Sequence, residues 1–154
     1  MSLSPRAVIT LTFFAFGAMV GSNLGALPIL VKQAGISPFM FGAMAGMAMF
    51  SNILMMAAGG YINRHFDHRS VLLFAFPLGF AFMSYAMIVQ TVLAYGVAIV
   101  GFNLALGAID LMMNAEAAEI EQELNKPVFS SFHAIVLYGI GGFAILSSLI
   151  STWL

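Results

Sequence analysis

The sequence predicts an all-α fold, a polytopic bundle of transmembrane helices, on three observations. Of 154 residues, 62% are hydrophobic and only 7% are charged, with a mean hydropathy of +1.02. Soluble domains carry roughly 25% charged residues, and a soluble fold this small could not cover so much apolar surface with so few. The apolar residues gather in five runs, each near the ~20 residues a helix needs to cross a hydrocarbon core of about 30 Å. Short polar or charged connectors separate the runs. Lipid is therefore the expected solvent, and in lipid a helix satisfies its own backbone hydrogen bonds.

The spans are expected in one transmembrane domain, 1–154. The first runs from about Ala7 to Leu30. Its apolar run exceeds the ~7–15 residues of a signal peptide, and no small-x-small cleavage site is followed by a soluble domain. Lys32 to Pro38 is a turn and a helix start, with Ser37 as N-cap and Pro38 at the first helical position. The second span runs from Phe39 to Ile62, and Asn63 to Arg69 reads as a compact charged loop. The third covers Ser70–Gln90. Gln90-Thr91 leaves almost no connector, so the third and fourth spans form a tight hairpin. The fourth covers Val92–Ala115. Glu116 to Pro127 is the longest polar stretch, with Glu116, Glu119, Glu121 and Glu123, and Asn125-Lys126-Pro127 closes it. The fifth span covers Val128–Leu154.

Lys and Arg set orientation. Alternating loops place Arg6, Arg64, Arg69 and Lys126 on one side and Lys32 on the other. The N-terminus is expected in the cytoplasm. There is no Cys and there are only three His, so no metal site or cofactor is expected. A net charge of −1 points to no nucleic-acid partner.

Gly17, Gly21 and Gly25 recur every fourth residue in the first span, as Gly42 and Gly46 do in the second. That spacing makes a groove where another helix can approach closely, within the bundle or in a dimer. In the fourth span Asn103, Gly107, Asp110 and Asn114 share one helical face, and Glu121 continues it. Polar groups facing lipid are costly, so this face should point into protein or a water-filled cavity. It either holds helices together or lines a path for solute or protons. His133 opens the fifth span on the cytoplasmic half, where with Asp110 it could relay protons. The bland alternative is an ordinary hydrogen-bonding His. Asn23 completes the candidate pathway residues. Ser130 or Ser131 with His133 and Asp110 makes no hydrolase, because the G-x-S-x-G elbow is missing. Asp67 between His65 and His68 reads as a solvated cluster.

Gly59 to Arg69 resembles the cytoplasmic signature of major facilitator superfamily transporters. Gly59, Arg64 and Arg69 fit it, Asn63 stands where the acid usually is, and Phe66 where the second Gly usually is. Asp110, Asn114, Glu121, Ser131, His133 and Gly139 look like the helix four–five region of its fucose permease-like bacterial branch. Gly21 to Pro28 also looks similar, with Leu27 where that branch often has Arg. The resemblance implies two six-helix halves with substrate bound between them. The five spans would be an incomplete N-terminal half, as a fragment, a truncated product or a short protein assembling with other chains. The implied function is part of a secondary transporter for a small polar solute, a sugar or other metabolite, in a bacterial inner membrane. It would need further transmembrane helices and would not transport alone. The Gly59, Asn63, Arg64 and Arg69 loop would act as a gating latch, weakened because Asn63 lacks the usual charge. The rival reading is a non-transporting accessory or assembly subunit. No enzyme is expected.

Overall fold

A computed structural model describes residues 4–153. They form α1 (Pro5–Gln33), α2 (Pro38–Ala57), α3 (Gly59–His65), α4 (His68–Ile88), α5 (Val92–Leu124) and α6 (Phe129–Ser151). All but α3 are long and apolar enough to cross a membrane. The chain is an all-helical, multi-pass membrane protein. The expected fifth-span end at Leu154 lies outside the described residues.

Local chemistry sets the boundaries. Gly35, at φ 64°, ends α1. Its N–H donates to the Lys32 carbonyl and that of Ile36 to the Val31 carbonyl, the paired bonds of a Schellman cap. Ser37 caps α2 by accepting from the Met40 N–H at 3.3 Å, with Pro38 leading the helix. Val89 to Thr91 alone join α4 to α5, the tight hairpin expected.

Three boundaries differ from expectation. The second span stops at Ala57 rather than Ile62: the helix breaks at Ala58, just before Gly59-Gly60, poor helix formers at about 1 kcal/mol each that open the separate helix α3. The expected loop from Asn63 to Arg69 is mostly helix: α3 runs through His65, and α4 begins at His68 behind its N-cap Asp67. The fourth span does not end at Ala115 either. Glu116 to Leu124 are strong helix formers, and Met113, Ala117 and Ile120 on one face are buried. At 33 residues, α5 is about 50 Å long, so its last turns outrun the hydrocarbon layer. Asn125, at φ 48°, ends it.

The chain packs as two compact units. One joins α1 through Ala26 with the chain from Met112; the other is Leu27–Leu111. In the first, α1 and α6 meet through glycine. Gly17, Gly21 and Gly25 lie against the backbone of Val136, Ile140 and Ala144. A Cβ on Gly139 would sit 2.7 Å from the Phe14 carbonyl oxygen and 2.9 Å from the Ala18 nitrogen. The Ser147 hydroxyl donates to the Ser22 carbonyl at 2.8 Å, and the buried rings of Phe13 and Phe132 lie 5.3 Å apart.

In the second unit α5 packs on α2 at Gly107, where a Cβ would lie 2.9 Å from Met55 Cβ and 3.1 Å from the Asn52 carbonyl. Gly101 accommodates the Phe82 ring of α4. Gln33 Nε2 donates to the carbonyls of Met87 and Val89, both at 3.1 Å, pinning the end of α1 to the end of α4. Much of α2, α4 and α6 exposes large apolar side chains, such as Phe50, Phe74 and Leu137, as lipid-facing helices do.

Candidate functional site

The polar face of α5 comes first, because it is the feature lipid tolerates least. Asn103 is half-buried, and its Nδ2 donates back to the Ile99 carbonyl at 2.9 Å. One turn on, Gly107 is buried at the contact with α2. The stripe therefore starts as a close helix–helix contact in the second unit. Asp110, one turn beyond Gly107, is half-buried. Asn114 follows, half-buried, in the part of α5 that belongs to the first unit.

Asn23, on α1 in the first unit, is 8% exposed. Its Nδ2 has no hydrogen-bond partner among the described residues. A buried amide donor left without an acceptor costs about 1–3 kcal/mol.

His133 is exposed at the start of α6. Its ring lies 4.7 Å from that of Phe129 and edge-on to Phe13 at 5.6 Å. Nδ1 is 3.3 Å from the Phe129 carbonyl. A carbonyl only accepts, so Nδ1 carries the proton in that contact.

The glycines divide into two sets. Gly17, Gly21 and Gly25 are occupied by α6, whereas Gly42 and Gly46 on α2 have nothing within 4 Å of an added Cβ. At the α3–α4 corner, Gly59 is buried, and a Cβ there would sit 2.8 Å from the Leu111 methyls. The Asn63 side-chain oxygen lies 2.6 Å from His68 Nε2, so the residue in the acid's usual place bridges the corner. Arg64 and Arg69 are exposed. Asp67 caps α4, accepting from the N–H groups of Arg69 and Ser70 and from the Ser70 hydroxyl. The Ser70 hydroxyl and N–H bonds, helped by the Arg69 N–H and nearby His68, hold its carboxyl below the usual carboxylate range.

Sequence reasoning missed the role of Glu121. Its Oε2 accepts from the N–H groups of Val128 and Phe129, at 2.8 and 2.7 Å, and so caps α6 from the preceding helix. The available signal was negative: Val128, at the N-cap position, has no side-chain acceptor, so those donors needed another partner.

A cavity of about 640 Å³ in the second unit is lined by Met44, Met47, Phe82, Leu93, Val97 and Gly101, among other apolar residues. It offers no polar side chain to orient a polar solute. Among the described residues no group of three His, Asp or Glu could hold a metal ion.

The chain is similar to an uncharacterized MFS-type transporter of Yersinia pestis. The two are 23% identical over 140 residues, which cover 91% of this chain and 36% of the relative. The chain thus spans about a third of that relative's length. No protein-family profile matches the chain, and no solved structure matches it significantly.

Proposed function

We propose that this chain contributes one part of a secondary transporter for a small polar solute, working with further transmembrane helices. The observation that carries the reading is the face of α5 bearing Asn103, Asp110 and Asn114 within an apolar span. A carboxyl and two amides on one face are costly in lipid and useful along a solute path. The buried Nδ2 of Asn23 adds a donor suited to a hydroxyl or carbonyl oxygen. The similarity to an MFS-type transporter supports the same reading, and with it a protein that moves a solute without transforming it.

In this reading Asn23, Asn103, Asp110 and Asn114 line the path, and His133 serves proton exchange at its cytoplasmic mouth. The corner around Gly59, Asn63, Arg64 and Arg69 changes partners as the cytoplasmic side opens. The chain sits in a bacterial inner membrane with its N-terminus inside. Since it matches 36% of the relative's length, transport belongs to an assembly larger than these five spans. The test is uptake of labelled sugars by cells that express the chain together with the membrane proteins it co-purifies with. Asp110→Asn should abolish saturable uptake at unchanged membrane abundance. Full uptake by the variant refutes the reading.

A second reading, a non-transporting assembly subunit, is favoured by the open glycines Gly42 and Gly46 on α2 and Gly141 and Gly142 on α6. Here Asp110→Asn would weaken co-purification of the partner instead.

A further inference from the structure

The α3–α4 corner, to which the transport reading gives a change of partners on opening, also presents an outward face with a chemistry of its own. On α3, Tyr61, Arg64 and His65 share one face, while Gly59 and Ile62 turn the other way, with Gly59 buried against Leu111. Tyr61 is 65% exposed, and the His65 ring stacks on it at 4.2 Å. Phe66, at the corner itself, is 54% exposed. Arg64 and Arg69 are exposed, and among the described residues neither makes an ion pair with a carboxylate. Asp67, the one acidic residue between Gly59 and Ser70, is committed to the N-terminus of α4. The corner therefore presents two uncompensated guanidinium groups beside two exposed aromatic rings. It joins the ends of two spans, α2 and α4, which places it at a membrane–water boundary.

We propose that this corner is a docking surface for anionic phospholipid headgroups of the surrounding bilayer. Arg64 and Arg69 pair with headgroup phosphates. Their planar forks suit phosphate oxygens, and basic residues beside a span draw anionic lipid to it. Tyr61 and Phe66 sit at headgroup depth, as interfacial aromatic residues do. The proposal does not depend on transport, since it concerns the outward face of α3 and needs no solute path.

The test is lipid binding by the full chain purified in dodecyl maltoside, titrated with palmitoyl-oleoyl phosphatidylglycerol or phosphatidylcholine and read by native mass spectrometry. Wild type should bind phosphatidylglycerol in preference to phosphatidylcholine. Arg64→Gln and Arg69→Gln should each weaken phosphatidylglycerol binding about fivefold. Arg64→Lys and Arg69→Lys, which keep the charge and lose the fork, should bind more weakly than wild type and more tightly than the Gln variants, and Lys32→Gln, at the other end of the spans, should leave binding unchanged. Inorganic phosphate at matched ionic strength should not displace the lipid. Equal binding of both lipids, an equal loss in Lys32→Gln, or displacement by phosphate would each overturn the proposal. Both arginines are exposed, so the thermal midpoint of the Gln variants should match wild type in lipid-free detergent. A lowered midpoint would make the binding loss structural and refute the assignment.

Discussion

The carboxylate of Glu121 accepts the Phe129 N–H at 2.7 Å, so the long tail of α5 caps the helix that follows it. The same oxygen takes the Val128 N–H at 2.8 Å. A half-buried carboxylate at a helix N-terminus gains from both hydrogen bonds and the helix dipole. It also fixes the corner formed by Asn125, Lys126 and Pro127. Glu121→Ala should lower stability by about 1.5–3 kcal/mol. Glu121→Gln, which keeps an acceptor but loses the charge, should cost less. Hydrogen exchange at Val128 and Phe129 checks this: both amides should lose protection before the rest of α6.

The glycine contacts give a paired prediction on stability. At Gly17 and Gly21 any Cβ meets the backbone of Val136 or Ile140, which cannot rotate away as a side-chain tip can. Gly17→Ala and Gly21→Ala should therefore part α1 from α6 and cost about 1–3 kcal/mol. Gly42 and Gly46 have open space around them. There alanine should be neutral or stabilise α2 by up to about 1 kcal/mol. Unfolding of the detergent-solubilised chain measures both, and equal effects at the two sets would be inconsistent with the α1–α6 contact.

Asn23 should show a conflict between stability and function. Asn23→Leu removes a buried donor that lacks a partner and supplies an apolar group of similar size. The thermal midpoint should rise, by an amount worth about 1–3 kcal/mol, while solute uptake by the assembled transporter falls. A lowered midpoint would mean that the amide is satisfied in the membrane.

Asp67 predicts a pH effect confined to the α3–α4 corner. Its carboxyl is held below the usual carboxylate range, first by the Ser70 side-chain and backbone bonds. A lowered native pKa favours the folded cap wherever the unfolded carboxyl is ionised. The cap's contribution is complete above the range where a free carboxyl titrates and disappears as the pH falls through the lower native value. Exchange protection at Arg69 and Ser70 should fall in that acid range, and Asp67→Asn should lack the acid step.

Much of this was legible locally. The five spans, the Ser37 cap and the hairpin at Gln90-Thr91 depend on residues within a turn or two of each other, so hydropathy and helix-start chemistry suffice to find them. The α5 stripe was legible because Asn103, Gly107, Asp110 and Asn114 recur at helical spacing. The α5 tail was misjudged: the glutamates signalled an exit from lipid, and that is not the same as an end of helix. Similarly, Arg64 and His68 are helical although the run around them is charged, because charge marks exposure to water and not irregular backbone.

The sequence by itself determined that this protein is helical and membrane-embedded, with one span that carries polar residues. Those properties follow from composition and period, since lipid admits only chains that close their own hydrogen bonds. Only the tertiary structure decided that Gly17, Gly21 and Gly25 are filled by α6 while Gly42 and Gly46 stay open, although both sets share a four-residue spacing. It also decided that Glu121 caps α6 and that Asn23 is buried with an unused donor. The reason is geometric. A close approach or a missing partner depends on which backbone lies opposite, and that is set by residues over 100 positions away, as between Ser22 and Ser147.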